Sequence, residues 1–164
     1  MTTNASPLHL LDEAARRAAV VQHLRYDRID FDRSHAMYHE DAILEFPQSG
    51  ERFFGASCFR EWRERYPSTV AKRIRRISGG GEQWVTEVML SYDGGPWVLG
   101  LSIDQFRGDR IARQIIYVMT PFAAPAWRAP WATRFDPYAA VDADEWVDGT
   151  PFGLDAELEL ATAG

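Results

Sequence analysis

The hydrophobic pattern of this chain changes its period once, and that change constrains the fold more than any other feature. Before Pro67 the apolar residues recur mostly at helical spacing, whereas beyond it they alternate with polar residues. The alternation predicts four strands over residues 70–78, 82–93, 96–107 and 109–119, with glycine-containing hairpin turns between them. Antiparallel strands as long as the last three must twist, so we expect one concave face.

The first part of the chain predicts helices with one short strand pair between them. Helices are predicted over residues 10–25, 30–38 and 56–66, a strand over 41–46 and a return strand over 51–54. Pro47 ends the first strand and Pro67 ends the third helix. Helices that precede a mostly antiparallel sheet define an α+β fold. A curved sheet wrapped on three N-terminal helices predicts a cone-shaped barrel with a pocket.

Composition excludes several classes of protein. The 164 residues suit one domain, and Cys58, the single cysteine, rules out an internal disulfide and any multi-cysteine zinc site. Residues 136–164 carry eight acids and no base, which leaves 16 acids and 18 bases in residues 1–135. This balance argues against nucleic-acid binding. With neither a long apolar run nor a secretory leader pattern, we expect no membrane association and a cytoplasmic location.

Four regions are expected along the chain: a loose N-terminus (1–9), the α+β domain (10–119), an ordered arm (120–138) and an acidic tail (139–164). The arm is rich in proline and carries five large aromatic residues: Phe122, Trp127, Trp131, Phe135 and Tyr138. Aromatic side chains are costly to leave in water. We therefore expect the arm to cover either the pocket or a partner subunit.

Three segments together resemble the nuclear transport factor 2-like superfamily. They are Asp41-Ala-Ile-Leu-Glu-Phe-Pro47, the helix from Gly55 to Tyr66, and Ser102-Ile-Asp-Gln-Phe-Arg107 with the following Gly108-Asp-Arg-Ile111. The SnoaL-like branch, which includes polyketide cyclases, is the most similar. The resemblance spans residues 10–119 and implies a cone-shaped α+β barrel with a deep pocket. It also implies a homodimer formed through the outer face of the sheet.

The ketosteroid isomerases of that superfamily allow a comparison residue by residue. Their strand Ile-Asp-x-Phe-Arg is matched by Ile103-Asp104-Gln105-Phe106-Arg107, so the resemblance gives Asp104 the position of a hydrogen-bonding carboxyl. Their Glu-Asp-Pro base is replaced by Glu45-Phe46-Pro47, and Leu24 stands where they carry a tyrosine. Because two of the three groups are absent, the sequence does not favour steroid isomerisation by that mechanism.

Asp104 is the leading candidate for catalysis, because strand alternation places it on the predicted pocket face with Gly100 and Ser102. A buried carboxyl there would have a raised pKa and could exchange protons near neutral pH. His35 is the second catalytic candidate, and His23 and Glu45 are weaker alternatives. The predicted substrate-binding residues are Phe46, Trp62, Trp84, Thr86, Ser102, Gln114 and Ile116.

The basic residues Lys72, Arg73, Arg75 and Arg76 are divided by alternation between two faces, and we expect them on a solvated surface or at a dimer rim. The pattern of histidines predicts no metal site, and no motif predicts a cofactor.

Two hypotheses follow from the sequence. The first is a cofactor-free enzyme that uses acid/base chemistry on a small apolar molecule, by cyclisation, isomerisation, dehydration or epoxide opening. The second is a non-catalytic module of the same fold that binds a small ligand or forms a dimer. Function depends on the site and not on the fold, so the pocket must distinguish them.

Overall fold

A computed structural model describes residues 7–138, with side chains described from residue 13 onward. Three helices precede or interrupt the early strands: α1 (Pro7–Tyr26), α2 (Phe31–His35) and α3 (Ala56–Glu64). Helix α2 is shorter than predicted. The Asp30 side chain caps its start by accepting a hydrogen bond from the Arg33 amide. The helix ends at His35 because Tyr38 is already paired with Ile111 in the sheet.

Six strands form one sheet: β1 (Tyr38–Phe46), β2 (Glu51–Phe54), β3 (Val70–Gly80), β4 (Gln83–Tyr92), β5 (Val98–Arg107) and β6 (Arg110–Met119). Their order is β2-β1-β6-β5-β4-β3, so the sheet is open and β2 and β3 are its edges. Strands β1 and β6 pair in parallel, and all other neighbours are antiparallel. The predicted α+β fold, with N-terminal helices against a curved, mostly antiparallel sheet, is confirmed.

One glycine in the β3–β4 hairpin is required by geometry. Gly79 has a φ of +140°, and a Cβ atom there would lie 2.4 Å from the carbonyl oxygen of Gln83. A side chain cannot occupy that space, because the obstacle is backbone. The predicted hairpin between residues 79 and 81 therefore depends on this residue.

The core lies where α1 and α3 meet the middle of the sheet. Val20 of α1, Phe59 of α3, and Leu44 and Ile111 of the adjacent strands β1 and β6 are all completely buried. Phe59 meets the ring of Tyr38 edge to face at 5.3 Å. This packing fixes both helices over the sheet, and a cavity remains between their C-terminal ends and the sheet.

The arm has no cover from the part of the chain that the structure describes. Residues Ala126–Trp131 form a short 3₁₀ helix. The side chains of Phe122, Trp127, Trp131 and Phe135 are nevertheless 72–82 % exposed. No arm residue borders the main cavity. The predicted acidic tail (139–164) and residues 1–6 lie outside the described residues.

Within residues 7–138 no helix combines the length and apolar character needed to cross a membrane.

Candidate functional site

A cavity of about 130 Å³ lies between the concave face of the sheet and helices α1 and α3. Its wall is mainly apolar and aromatic, with Phe46, Trp62, Tyr66, Val88, Leu90 and Tyr92 among the lining residues. Gly100 also borders it, and a Cβ atom at that position would lie 2.7 Å from Cγ2 of Val88. The cavity is comparable to one of about 150 Å³ that binds benzene. Its volume therefore suits a ligand about the size of a single ring.

Asp104 lies on the cavity wall in β5 and is 1 % exposed. Its Oδ1 atom accepts hydrogen bonds from Gln114 Nε2 at 2.7 Å and Ser102 Oγ at 3.0 Å. Burial raises the pKa of this carboxyl to about 6, although the two hydrogen bonds oppose that rise. Because both donors bind Oδ1, the proton of the neutral acid must reside on Oδ2. Asp104 can thus gain and lose a proton close to neutral pH.

Gln114 is oriented by two donors behind it. Its Oε1 accepts from the Tyr38 hydroxyl at 2.6 Å and from Arg63 Nη2 at 3.0 Å. The amide oxygen therefore faces Arg63 and Tyr38, and the amide nitrogen must face Asp104. Burial raises the pKa of Tyr38 to about 12, so its hydroxyl remains a donor. The network makes Asp104 the acceptor of the Gln114 amide.

The two histidines have different places in this network. His35 accepts from Arg63 Nη1 at 3.1 Å, and its Nδ1 donates to the Phe31 carbonyl at 2.9 Å. It does not line the cavity. Burial, aided by Arg63, lowers the pKa of His35, so the ring stays neutral and supports the guanidinium from behind.

His23 lines the cavity. Its Nδ1 donates to the Ser34 carbonyl at 3.1 Å, and its Nε2 lies 3.4 Å from the Tyr38 hydroxyl. That hydroxyl has one proton, which Gln114 receives at the shorter distance. Burial, followed by the charge of Arg63, lowers the pKa of His23 to about 3. His23 is therefore a neutral acceptor at the cavity wall.

Asp27 and Lys72 form an ion pair in the same cavity, which the sequence analysis missed. Their side chains are only 12 % and 22 % exposed. Burial opposes ionisation of Asp27, but Lys72, His23 and Arg63 together hold its pKa below the usual range. For Lys72 the prediction of a surface position is wrong. It lies opposite Leu90 in the β3–β4 register, and cross-strand partners share a face.

Six of the predicted site residues border the cavity: Phe46, Trp62, Ser102, Asp104, Gln114 and Ile116. Trp84 and Thr86 do not, although alternation places them on the same face of β4. They pair with Asp104 and Ser102 in the register and are buried at 6 % and 0 % exposure. The cavity reaches β4 only further along, at Val88 and Leu90.

Glu45 lies away from the cavity, as its position beside Phe46 predicts. It accepts from Arg52 Nε at 2.6 Å and from Arg113 Nε at 2.9 Å. These contacts hold the pKa of Glu45 below its usual range, chiefly through Arg113. Within the described residues, no three His, Cys, Asp or Glu side chains are grouped as a metal site would require.

Solved structures identify the family. An NTF-2 like protein of unknown function from Burkholderia xenovorans LB400 is 34% identical, with a TM-score of 0.69. The match covers 77% of this chain and 99% of that one. The chain belongs to the NTF2-like family. The search found no matching family model and no match among the curated proteins.

Two further solved structures share the fold at lower identity. A Kribbella flavida protein, assigned provisionally as a ketosteroid isomerase, is 19% identical with a TM-score of 0.72, over 77% of this chain and 94% of its own. An LEH-like epoxide hydrolase from M. tuberculosis is 20% identical with a TM-score of 0.57, over 65% and 84%. At these identities the likeness establishes the NTF2-like fold alone.

Proposed function

We propose that this NTF2-like protein is a cofactor-free cytoplasmic enzyme that moves a proton on a small, largely apolar molecule. The observation that carries the proposal is a fully buried carboxyl, Asp104, on the wall of an aromatic cavity, with a pKa raised to about 6. A desolvated carboxyl with such a pKa is suited to general acid/base catalysis at neutral pH. Isomerisation, cyclisation, dehydration and epoxide opening all require this step.

The chemistry is assigned to one oxygen of Asp104. Ser102 and Gln114 hold Oδ1, so Oδ2 exchanges the proton with the substrate. Arg63 and Tyr38 act as positioning residues because they fix the Gln114 amide and do not themselves hold Asp104. Because Asp104 is buried and held by two hydrogen bonds, its surroundings need to reorganise less when the proton is transferred.

A generic proton-abstraction probe tests this assignment without knowledge of the natural substrate. In a nitro-substituted isoxazole, a single ring, a base removes the C3–H proton while the N–O bond breaks. The electron pair of the N–O bond leaves on the enolate oxygen as the nitrile forms. We expect wild-type turnover to rise through a pH of about 6, as Asp104 loses its proton. Asp104→Asn should lower kcat by at least about 100-fold.

Asp41→Asn is the matched control, because Asp41 is an exposed carboxylate of β1 that pairs with Arg107. This control variant should leave the isoxazole rate and its pH profile unchanged. Equal activity of the Asp104→Asn variant and the wild type would contradict the role of Asp104. A wild-type rate no faster than that of acetate at equal concentration would favour the alternative of a non-catalytic binding module.

The proposal includes a homodimer, and the exposed arm supports it. The four exposed aromatic side chains of the arm could bury about 600–1,000 Å² if each buried a typical aromatic area. A standard protein interface buries about 800 Å² per partner. Single chains rarely leave apolar patches of that size in water. A second copy of the chain would give the arm the cover that residues 7–119 do not provide.

Truncation tests this role of the arm. The full chain should sediment at twice its mass of 18.7 kDa at micromolar concentration. A chain that ends at residue 119 should dissociate and unfold at a lower temperature, because it lacks the interface. Deletion of 150–164 alone should leave both the mass and the unfolding temperature unchanged. Identical sedimentation and melting of the long deletion and the full chain would refute the role of the arm.

A further inference from the structure

Arg63 is a buried cation with no ionic partner among the described residues. Its residue exposure is 6 %, and its hydrogen bonds go to three uncharged acceptors: His35 Nε2, the Tyr38 hydroxyl and Gln114 Oε1. No carboxylate of the described residues lies within ion-pair distance of it. Arginine is almost never fully buried unless it is paired. The cavity wall therefore holds a positive charge to which no carboxylate of the described residues serves as a direct counter-ion.

The other charges of the cavity do not neutralise Arg63. Asp27 and Lys72 neutralise each other in their ion pair. Asp104 forms no ion pair with Arg63, because the amide of Gln114 lies between them. The charge of Arg63 still acts on the carboxylate, and that attraction ends once Asp104 is protonated. Arg28, whose guanidinium lies 4.3 Å from the centre of the Tyr66 ring, adds another cation to the lining. The cavity is thus positive on balance, most strongly when Asp104 carries a proton.

The other residues that line the cavity indicate the chemistry of the rest of the ligand. Rings of Phe46, Trp62, Tyr66 and Tyr92 border the cavity, and its volume of about 130 Å³ suits one ring with one polar group. An aromatic wall favours an apolar, planar body. The uncompensated guanidinium favours an anionic group on that body.

We propose that the cavity takes a small organic carboxylate with a planar apolar body, and that its binding is coupled to proton uptake at Asp104. The inference rests on the proposed function only in taking this cavity as the ligand site. The carboxylate supplies the negative charge that the Arg63 side of the cavity lacks. His23 does not compete for it, because its ring is neutral.

The coupling follows from the charges around Asp104. Groups on five strands and helices around Asp104 contact it or influence its charge: Ser102 on β5, Gln114 on β6, Arg63 on α3, Lys72 on β3 and Tyr38 on β1. His23 and Asp27, at the C-terminal end of α1, also line the cavity. An incoming anion repels the ionised carboxylate and raises the pKa of Asp104 above about 6. By linkage, protonation of Asp104 must strengthen anion binding by the same factor.

Benzoate and its uncharged analogue benzamide test the proposal on the full chain. Binding is measured by calorimetry and by tryptophan fluorescence, since Trp62 borders the cavity. Benzoate should bind at least about tenfold more tightly at a pH of about 5 than at about 8, whereas benzamide should show no such dependence. Calorimetry in two buffers of different ionisation enthalpy should show proton uptake with benzoate alone.

A gain of affinity in one variant separates this coupling from a structural effect. Asp104→Asn removes the charge permanently, so its benzoate affinity at a pH of about 8 should rise to the low-pH level of the wild type and lose its pH dependence. Asp41→Asn should bind as the wild type does. Equal binding of benzamide and benzoate, or weaker benzoate binding by Asp104→Asn, would overturn the inference.

The two proposals can fail separately. Isoxazole turnover without preference for benzoate over benzamide would retain the proton-transfer role and refute the anionic ligand. Proton-coupled benzoate binding without turnover would retain the anion site and refute catalysis.

Discussion

Asp104→Asn should be more stable than the wild type at a pH of about 8, by about 3 kcal/mol, because a shift of one pKa unit corresponds to about 1.4 kcal/mol. The carboxyl has a pKa of about 6 in the folded chain, against an ordinary value of 3.8. Below a pH of about 4 the carboxyl is protonated in the folded chain, and this protonation favours folding. The favourable contribution is lost as the pH rises through about 6, which is the pKa in the folded chain. Asparagine remains uncharged throughout and can still accept from Gln114 and Ser102.

Urea unfolding of both proteins at several pH values measures this difference. The gap in free energy of unfolding should shrink to near zero at a pH of about 3, below the ordinary pKa of 3.8, where Asp104 is protonated in both the folded and the unfolded chain. Both proteins also contain His23, whose lowered pKa makes folding less favourable as the pH falls. Subtracting one free energy of unfolding from the other removes this shared contribution. Asp41→Asn should instead cost a little stability at neutral pH, because Arg107 lowers the pKa of Asp41.

A destabilised Asp104→Asn variant at a pH of about 8 would mean that the carboxylate is a structural group held by its hydrogen bonds. A more stable variant would instead indicate that the carboxylate lowers the stability of the wild type. Such a cost is common for groups that act in catalysis or binding.

Lys72→Met should lower the free energy of unfolding by about 3–5 kcal/mol, which is typical of breaking a buried ion pair. The variant leaves Asp27 as a charge that is 12 % exposed, with its partner gone. Methionine retains the apolar length of the lysine side chain, so little of the loss comes from packing. Chemical unfolding at neutral pH measures the effect.

The double variant Asp27→Asn with Lys72→Met shows whether the stability depends on the ion pair or on each charged residue separately. It should recover most of the lost stability, because neither charge then remains buried without a partner. Arg107→Met, which breaks the exposed pair with Asp41, should change stability little. Losses that simply add in the double variant would contradict a coupled buried pair.

Alternation within β5 and within β6 predicted that Asp104, Ser102 and Gln114 could share the pocket face, but it did not predict their register. The strands are joined by a two-residue turn, and a shift between Gln105 and Phe106 then moves the register by one residue, which places Gln114 opposite Asp104. The positions of Trp84 and Thr86 could not be predicted in the same way. A shared strand face does not determine where along the strand the helices cover the sheet and where the cavity begins.

Asp27 and Lys72 were missed for a different reason. Each residue is charged, and charged residues are expected at the surface. Two signals were nevertheless present in the sequence. Asp27 lies four residues after the buried His23, just past the end of α1, and Lys72 shares a strand face with Val70 and Ile74. What the sequence lacked was the tertiary pairing that allows both charges to be buried together.

The parallel pairing of β1 with β6 has a consequence for the order in which the chain acquires its structure during synthesis. Asp104 and Gln114 meet within one local hairpin, whereas Tyr38 and Gln114 are 76 residues apart in sequence. Contacts between distant residues form slowly because the intervening loop must close first. A nascent chain can hold both β1 and α3 long before β6 leaves the ribosome. Until then Arg63 and Tyr38 lack the amide that they orient, so the proposed proton-transfer site cannot form before β6 has joined the sheet.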